Sequence, residues 1–169
     1  MKTPAKLFLA FALLVSALGA AESKKNWTPP AYKIYAQTVS DEIMAAHPEL
    51  ISVTLHGVPP GLKDVYTMFA GSFPDRIGNP DDEDDIMITK LGITILDPRW
   101  HRTKDTAKKF VMMLPLHDVS GESIGLLVLA YKNDADMGEK HFFLTSTALR
   151  NELQNKIRSY AALFAQVQS

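Results

Sequence analysis

The order of hydrophobic segments predicts an α+β fold, an antiparallel sheet of about five strands with long N- and C-terminal helices packed on one face. Three observations lead there. Residues 109–132, KFVMMLPLHDVSGESIGLLVLAYK, hold two apolar runs, 110–116 and 124–131. Between them lies HDVSGES, whose Asp, Ser and Gly favour a turn, so the stretch reads as two paired antiparallel strands. Residues 31–47 and 139–166 instead repeat apolar side chains every three or four positions, the stripe of an amphipathic helix.

The elements follow in order. Tyr32, Tyr35, Ala36, Val39, Ile43 and Ala46 mark the first helix, over 31–47, ended by Pro48. Residues 51–56 (ISVTLH) alternate and are rich in β-branched side chains, which suits a first strand; GVPPG then breaks it, and 65–70 (VYTMFA) form a second. The run Asp81-Asp82-Glu83-Asp84-Asp85 reads as a solvated turn whose acids favour the start of a short helix over 84–91. It fails as a calcium loop, because Ile86 stands where the turn needs Gly and Gly92 where the bidentate Glu belongs. Residues 92–96 (GITIL) make a short strand before the central hairpin. Both hairpin strands are apolar at nearly every position, so helices should cover one face and loops the other. Pro115 suits a strand end, Gly121 permits the turn, and Gly125 marks a bulge or a close backbone approach. Phe142, Leu149, Leu153, Ile157, Ala161 and Phe164 line a last long helix over 139–166.

Composition bounds the setting. The chain opens with Lys2 and Lys6, continues through an apolar stretch over 7–18 and reaches small residues at Gly19-Ala20-Ala21. That is the pattern of a secretory signal peptide, with an apolar core too short for a comfortable membrane span. Cleavage after Ala21 leaves 22–30 as a polar, proline-ended lead-in and 31–169 as a single domain. The 169 residues carry 18 Lys and Arg against 19 Asp and Glu, and losing the two leader lysines makes the remainder more acidic. Such a balance argues against a nucleic-acid partner. The absence of cysteine excludes lipid attachment and disulfides, and an exported, disulfide-free domain suits a bacterial periplasm or secretion. No later apolar run is long enough to cross a membrane in the mature form.

The chemistry-bearing residues are few. Gly121-Glu122-Ser123-Ile124-Gly125 spells G-x-S-x-G, but a nucleophile elbow needs a strand before the serine and a helix after it. Here a hairpin turn precedes Ser123 and a strand follows, so no catalytic residue is assigned. His47, His56, His101, His117 and His141 show no metal-ligand spacing; His47 and His56 read as structural, and no metal or cofactor is expected. The densest functional cluster is Arg99-Trp100-His101-Arg102. Its guanidinium groups match a carboxylate, its indole offers an apolar wall with one donor, and its imidazole a pH-sensitive donor. Alternatively these are surface residues, with the arginines paired to Asp97 or Asp105. Tyr66 and Arg76 are further ligand-binding candidates: Tyr66 shares a strand face with Met68, while Arg76 alternatively holds its own turn.

Phe69-Ala70-Gly71-Ser72, Asp75-Arg76-Ile77-Gly78 and Leu114-Pro115-Leu116-His117-Asp118, with Gly121, Ile124 and Gly125, resemble in order and spacing the extracellular PAS-like sensor family of Cache domains. The resemblance runs roughly from Tyr32 to Asn133 and fits a single module. It implies a pocket on the sheet face away from the N-terminal helix, holding a small metabolite, often a carboxylate or amino acid. Family receptors place this module between two membrane spans; here the first apolar segment looks cleavable and a second is missing. The expectation is a stand-alone periplasmic sensor domain, not an enzyme, that binds an anionic or zwitterionic small molecule and presents it to a partner. The alternative is a ligand-free module that dimerises or docks a membrane sensor through its helices, which exposure of Leu149, Leu153, Ile157 and Phe164 would favour.

Overall fold

A computed structural model describes residues 24–97, 109–132 and 137–167. The chain runs through helix α1 (Tyr35–Ala46), strands β1 (Leu50–Gly57) and β2 (Thr67–Gly71), and a 3-10 turn at Pro74–Arg76. Helix α2 (Glu83–Leu91), strand β3 (Ile95–Asp97), the hairpin β4 (Lys109–His117) and β5 (Ser123–Lys132), and helices α3 (Glu139–Lys156) and α4 (Tyr160–Leu163) follow. The five strands form one antiparallel sheet in the order β2-β1-β5-β4-β3.

The hairpin supplies the centre because its side chains alternate between two apolar faces. Phe110, Met112, Leu114, Leu127, Leu129 and Tyr131 meet the helices, together with Val53 and Leu55 of β1. α1 adds Ala36, Val39 and Ile43, and α3 adds Phe142, Leu149 and Leu153. Phe142 stacks on Phe110 and Tyr131 at centroid distances of 4.7 and 5.1 Å. On the second face Val111, Met113, Leu126 and Ala130 pack under Ile88 of α2. The turn is held by the buried Asp118 carboxylate, whose Oδ1 accepts from Ser120 N–H (2.8 Å), the Ser120 hydroxyl (2.6 Å) and Glu122 N–H (3.1 Å). These bonds, the Ser120 hydroxyl first, hold the Asp118 carboxyl below its ordinary range.

The larger departures from the expected element boundaries have local or tertiary causes. α1 begins at Tyr35 rather than residue 31, because Ile34 bridges Gln166 and Tyr35 N–H donates to Ala165 O at 2.9 Å. β2 begins at Thr67, since the Tyr66 carbonyl is taken by Asn26 and by Asp81 N–H. Gly92 is no strand residue: it caps α2 in the left-handed region (φ 63°), so β3 starts later, at Ile95. The long C-terminal helix breaks after Lys156. Ile157, fully buried, gives its carbonyl to Val119 N–H (2.9 Å), and Ser159 caps α4 by accepting from Ala162 N–H (3.3 Å). The break turns Tyr160 and Phe164 onto Phe69.

Pro115 pairs with Leu126, while β3 reaches only Val111 to Met113, so among the described residues no strand lies along the β4 edge beside Pro115. Gly125 sits at φ 132°, where a Cβ would fall 2.0 Å from the His56 carbonyl oxygen; the close approach is real. No helix among the described residues is long and apolar enough to cross a membrane.

Candidate functional site

Helices α1, α3 and α4 close the first face of the sheet. Among the described residues α2 covers the second only in part, leaving a cavity of about 570 Å³. Its floor is Val111, Met113, Val128 and Ala130, the outward positions of β4 and β5. β1 contributes Ser52, Thr54 and His56, the positions between its core residues Val53 and Leu55. α2 forms a wall with Asp84, Asp85, Met87 and Ile88, and β3 adds Ile95 and Asp97. Phe73, Met87 and Ile93 stand exposed at its margin although they are large and apolar. A space lined this way suits a molecule with an apolar body and charged ends.

Both signs of charge line it. Asp82, Asp84, Asp85 and Asp97 are on the lining, and so are Arg76 and Lys109. Arg76 leaves the 3-10 turn with its guanidinium carbon 5.3 Å from the Phe73 ring centroid, a cation–π contact that keeps it at the rim.

The most ordered polar group is centred on His56. Its Nδ1 lies 2.7 Å from Asp81 Oδ1 and 3.9 Å from Asp85 Oδ2, and its Nε2 lies 2.7 Å from Thr54 Oγ1. In the neutral ring Nδ1–H donates to Asp81 and Nε2 accepts the Thr54 hydroxyl hydrogen. Asp81 reaches this position because residues 78–81 run along β2. Gly78 N–H donates to Met68 O (2.8 Å), Thr67 Oγ1 donates to Asn79 O (2.7 Å), and Asp81 N–H donates to Tyr66 O (3.1 Å). The side chains of His56 and Asp81 are 7% and 1% exposed, so this is a buried pair. The acidic run is therefore not wholly a solvated turn, as the sequence suggested: its first residue points inward and its fifth, Asp85, is partly covered. One donor atom each from His56, Asp81 and Asp85 lies within 4.8 Å of the others.

Of the ligand-binding candidates, Arg76 lines the main cavity. Tyr66 lines a smaller space of about 300 Å³ instead, with Ser123, Lys90 and Tyr160. Lys90 Nζ stands 5.1 Å from the Tyr66 ring centroid. Tyr160 donates to Val58 O at 2.6 Å, and burial pushes its phenol up from the ordinary range. Arg99, Trp100, His101 and Arg102 lie outside the described residues, but Asp97 and Lys109, which bracket that stretch, both line the main cavity. Ser123 opens β5 with no helix after it, so it has no elbow geometry. Sequence reading missed Thr54, Asp81 and Asp85 and set His56 aside as structural. The one signal was a histidine at the end of an alternating strand, with acids far downstream.

No family model matches the chain, the Cache family included, and no curated protein matches it in sequence. Among solved structures it is similar to a type II free methionine-R-sulfoxide reductase from Thermoplasma acidophilum (TM-score 0.49, 12% identity, 78% of this chain and 93% of that one). It is also similar to the GAF domain of a two-component sensor histidine kinase from Bacillus halodurans (TM-score 0.48, 13% identity, 71% and 91%). Neither likeness bears on the chemistry of the site.

Proposed function

We propose that this chain is an exported sensor domain of PAS-like, Cache type, with residues 1–21 as its leader, that reversibly holds a small amino-acid-like metabolite. The observation that carries the reading is the second face of the sheet, which the described residues cover only in part. There a cavity of about 570 Å³ has an apolar floor and both signs of charge on its walls. Arg76 presents donors to a carboxylate, the acids on α2 attract an ammonium group, and Phe73, Met87 and Ile93 shield the body between. β1 and β5 touch the cavity with one set of side chains and the helices with the alternate set, so occupancy on one face alters packing on the other. The domain acts by binding, without catalysis. Leu149, Leu153 and Ile157 are buried in the domain's own core and Phe164 packs against it, so they offer no face for the alternative dimerising module.

The test is thermal unfolding against a library of amino acids and small carboxylates. At a hundredfold excess over Kd, binding contributes about 2.7 kcal/mol, an expected rise of roughly 5–10 °C. Val128→Trp, which fills the floor, should abolish the rise while the protein stays folded. A folded wild-type protein that no compound stabilises refutes the reading.

A further inference from the structure

We propose that His56, Asp81 and Asp85 bind one first-row divalent transition-metal ion in the wall of the cavity. The inference is independent of the metabolite and rests on three observations. The first is convergence: Nδ1 of His56 lies 2.7 Å from one carboxylate oxygen and 3.9 Å from the other, with one donor atom per residue inside 4.8 Å. Zinc- or manganese-like ions hold nitrogen and oxygen ligands at about 2.0–2.2 Å, which sets neighbouring donors about 3.0–3.5 Å apart. The two distances bracket that spacing, so small side-chain rotations suffice.

The second observation is the Asp81 carboxylate itself. Its side chain is 1% exposed and, among the described residues, its Oδ2 has no hydrogen-bond partner. A buried carboxylate oxygen without a donor is costly, and a cation at the cluster gives it a counter-charge. The third is Thr54. When Nδ1 binds the ion, the ring proton moves to Nε2, where Thr54 Oγ1, 2.7 Å away, accepts it and fixes the ring.

The donor set names the ion class. One imidazole with two carboxylates suits zinc, manganese or ferrous iron, whereas calcium prefers six to eight oxygens. His56 and Asp85 both line the cavity, so the cluster borders it.

The experiment is isothermal titration of chelator-stripped, purified protein with zinc, manganese, magnesium and calcium chlorides, without metabolite. Zinc or manganese should bind one equivalent per chain, raise the thermal midpoint and bind more weakly as the solution is acidified, because Nδ1 must be deprotonated to ligate. His56→Gln and Asp85→Asn should each weaken binding at least about tenfold, while Asp84→Asn, exposed on the same helix, should not. Asp85 is partly exposed in the first turn of α2, so Asp85→Asn decides the matter if His56→Gln fails to fold. Absence of stoichiometric binding, binding unchanged in Asp85→Asn, equal loss in Asp84→Asn, or calcium binding more tightly than zinc each overturns the proposal.

Discussion

At Gly125, backbone meets backbone with no space for a methyl group. The His56 carbonyl occupies the position a Cβ would need, and φ of 132° is strained for any L side chain. Gly125→Ala should therefore destabilise the domain by at least about 2 kcal/mol in a denaturant titration, an effect far beyond that of an ordinary surface change. Asp118 gives a pH-dependent counterpart. Its folded carboxyl is held below the ordinary 3.8, mainly by the Ser120 hydroxyl, so the folded state binds the proton less readily than the unfolded one. Its stabilisation is complete above 3.8 and fades as pH falls through the depressed native value. Asp118→Asn should unfold at a lower temperature than wild type at neutral pH, and the two melting curves should converge in acid; a gap independent of pH refutes this. Legibility at this scale was uneven. Gly125 stood out as a glycine inside an apolar strand, whereas His56 and Asp81 are 25 positions apart and meet only because residues 78–81 lie along β2.

Among the elements, strands were easier to read than helix ends. The hairpin's two apolar faces follow directly from a sheet covered on both sides. The C-terminal helix misled because Ile157 keeps the helical apolar spacing while its carbonyl bonds Val119 instead of continuing the helix. Similarly, Gly92 looks like the first residue of an apolar strand and serves as a helix cap. β3 is three residues long and half-buried, and α2 buries only Ile88, so both should open before the central strands. Hydrogen exchange should show the fastest ordered amides in β3 and α2 and the slowest in β1 and β5. A bound ligand should slow the first group selectively, and uniform protection across the sheet would contradict a cavity beneath α2.

At the scale of the whole sheet, the described residues cover its two sides unequally, and that inequality was only half visible in the sequence. Periodicity showed that both faces are apolar, but not that among the described residues one short helix covers only part of the second. The cavity is on the side of the sheet away from α1, and Arg76 is on its lining. The convergence of charged groups from β1, α2 and β3 depends on strand order, which no local pattern encodes.

The pairing of Ile34 with Gln166 has a practical corollary. Val167 N–H also bonds Lys33 O, so the stretch leading into α1 and the stretch following α4 run side by side, about 5 Å apart. Shortening the chain after Leu163 should therefore also loosen the start of α1, where Tyr35 N–H would lose its acceptor Ala165 O.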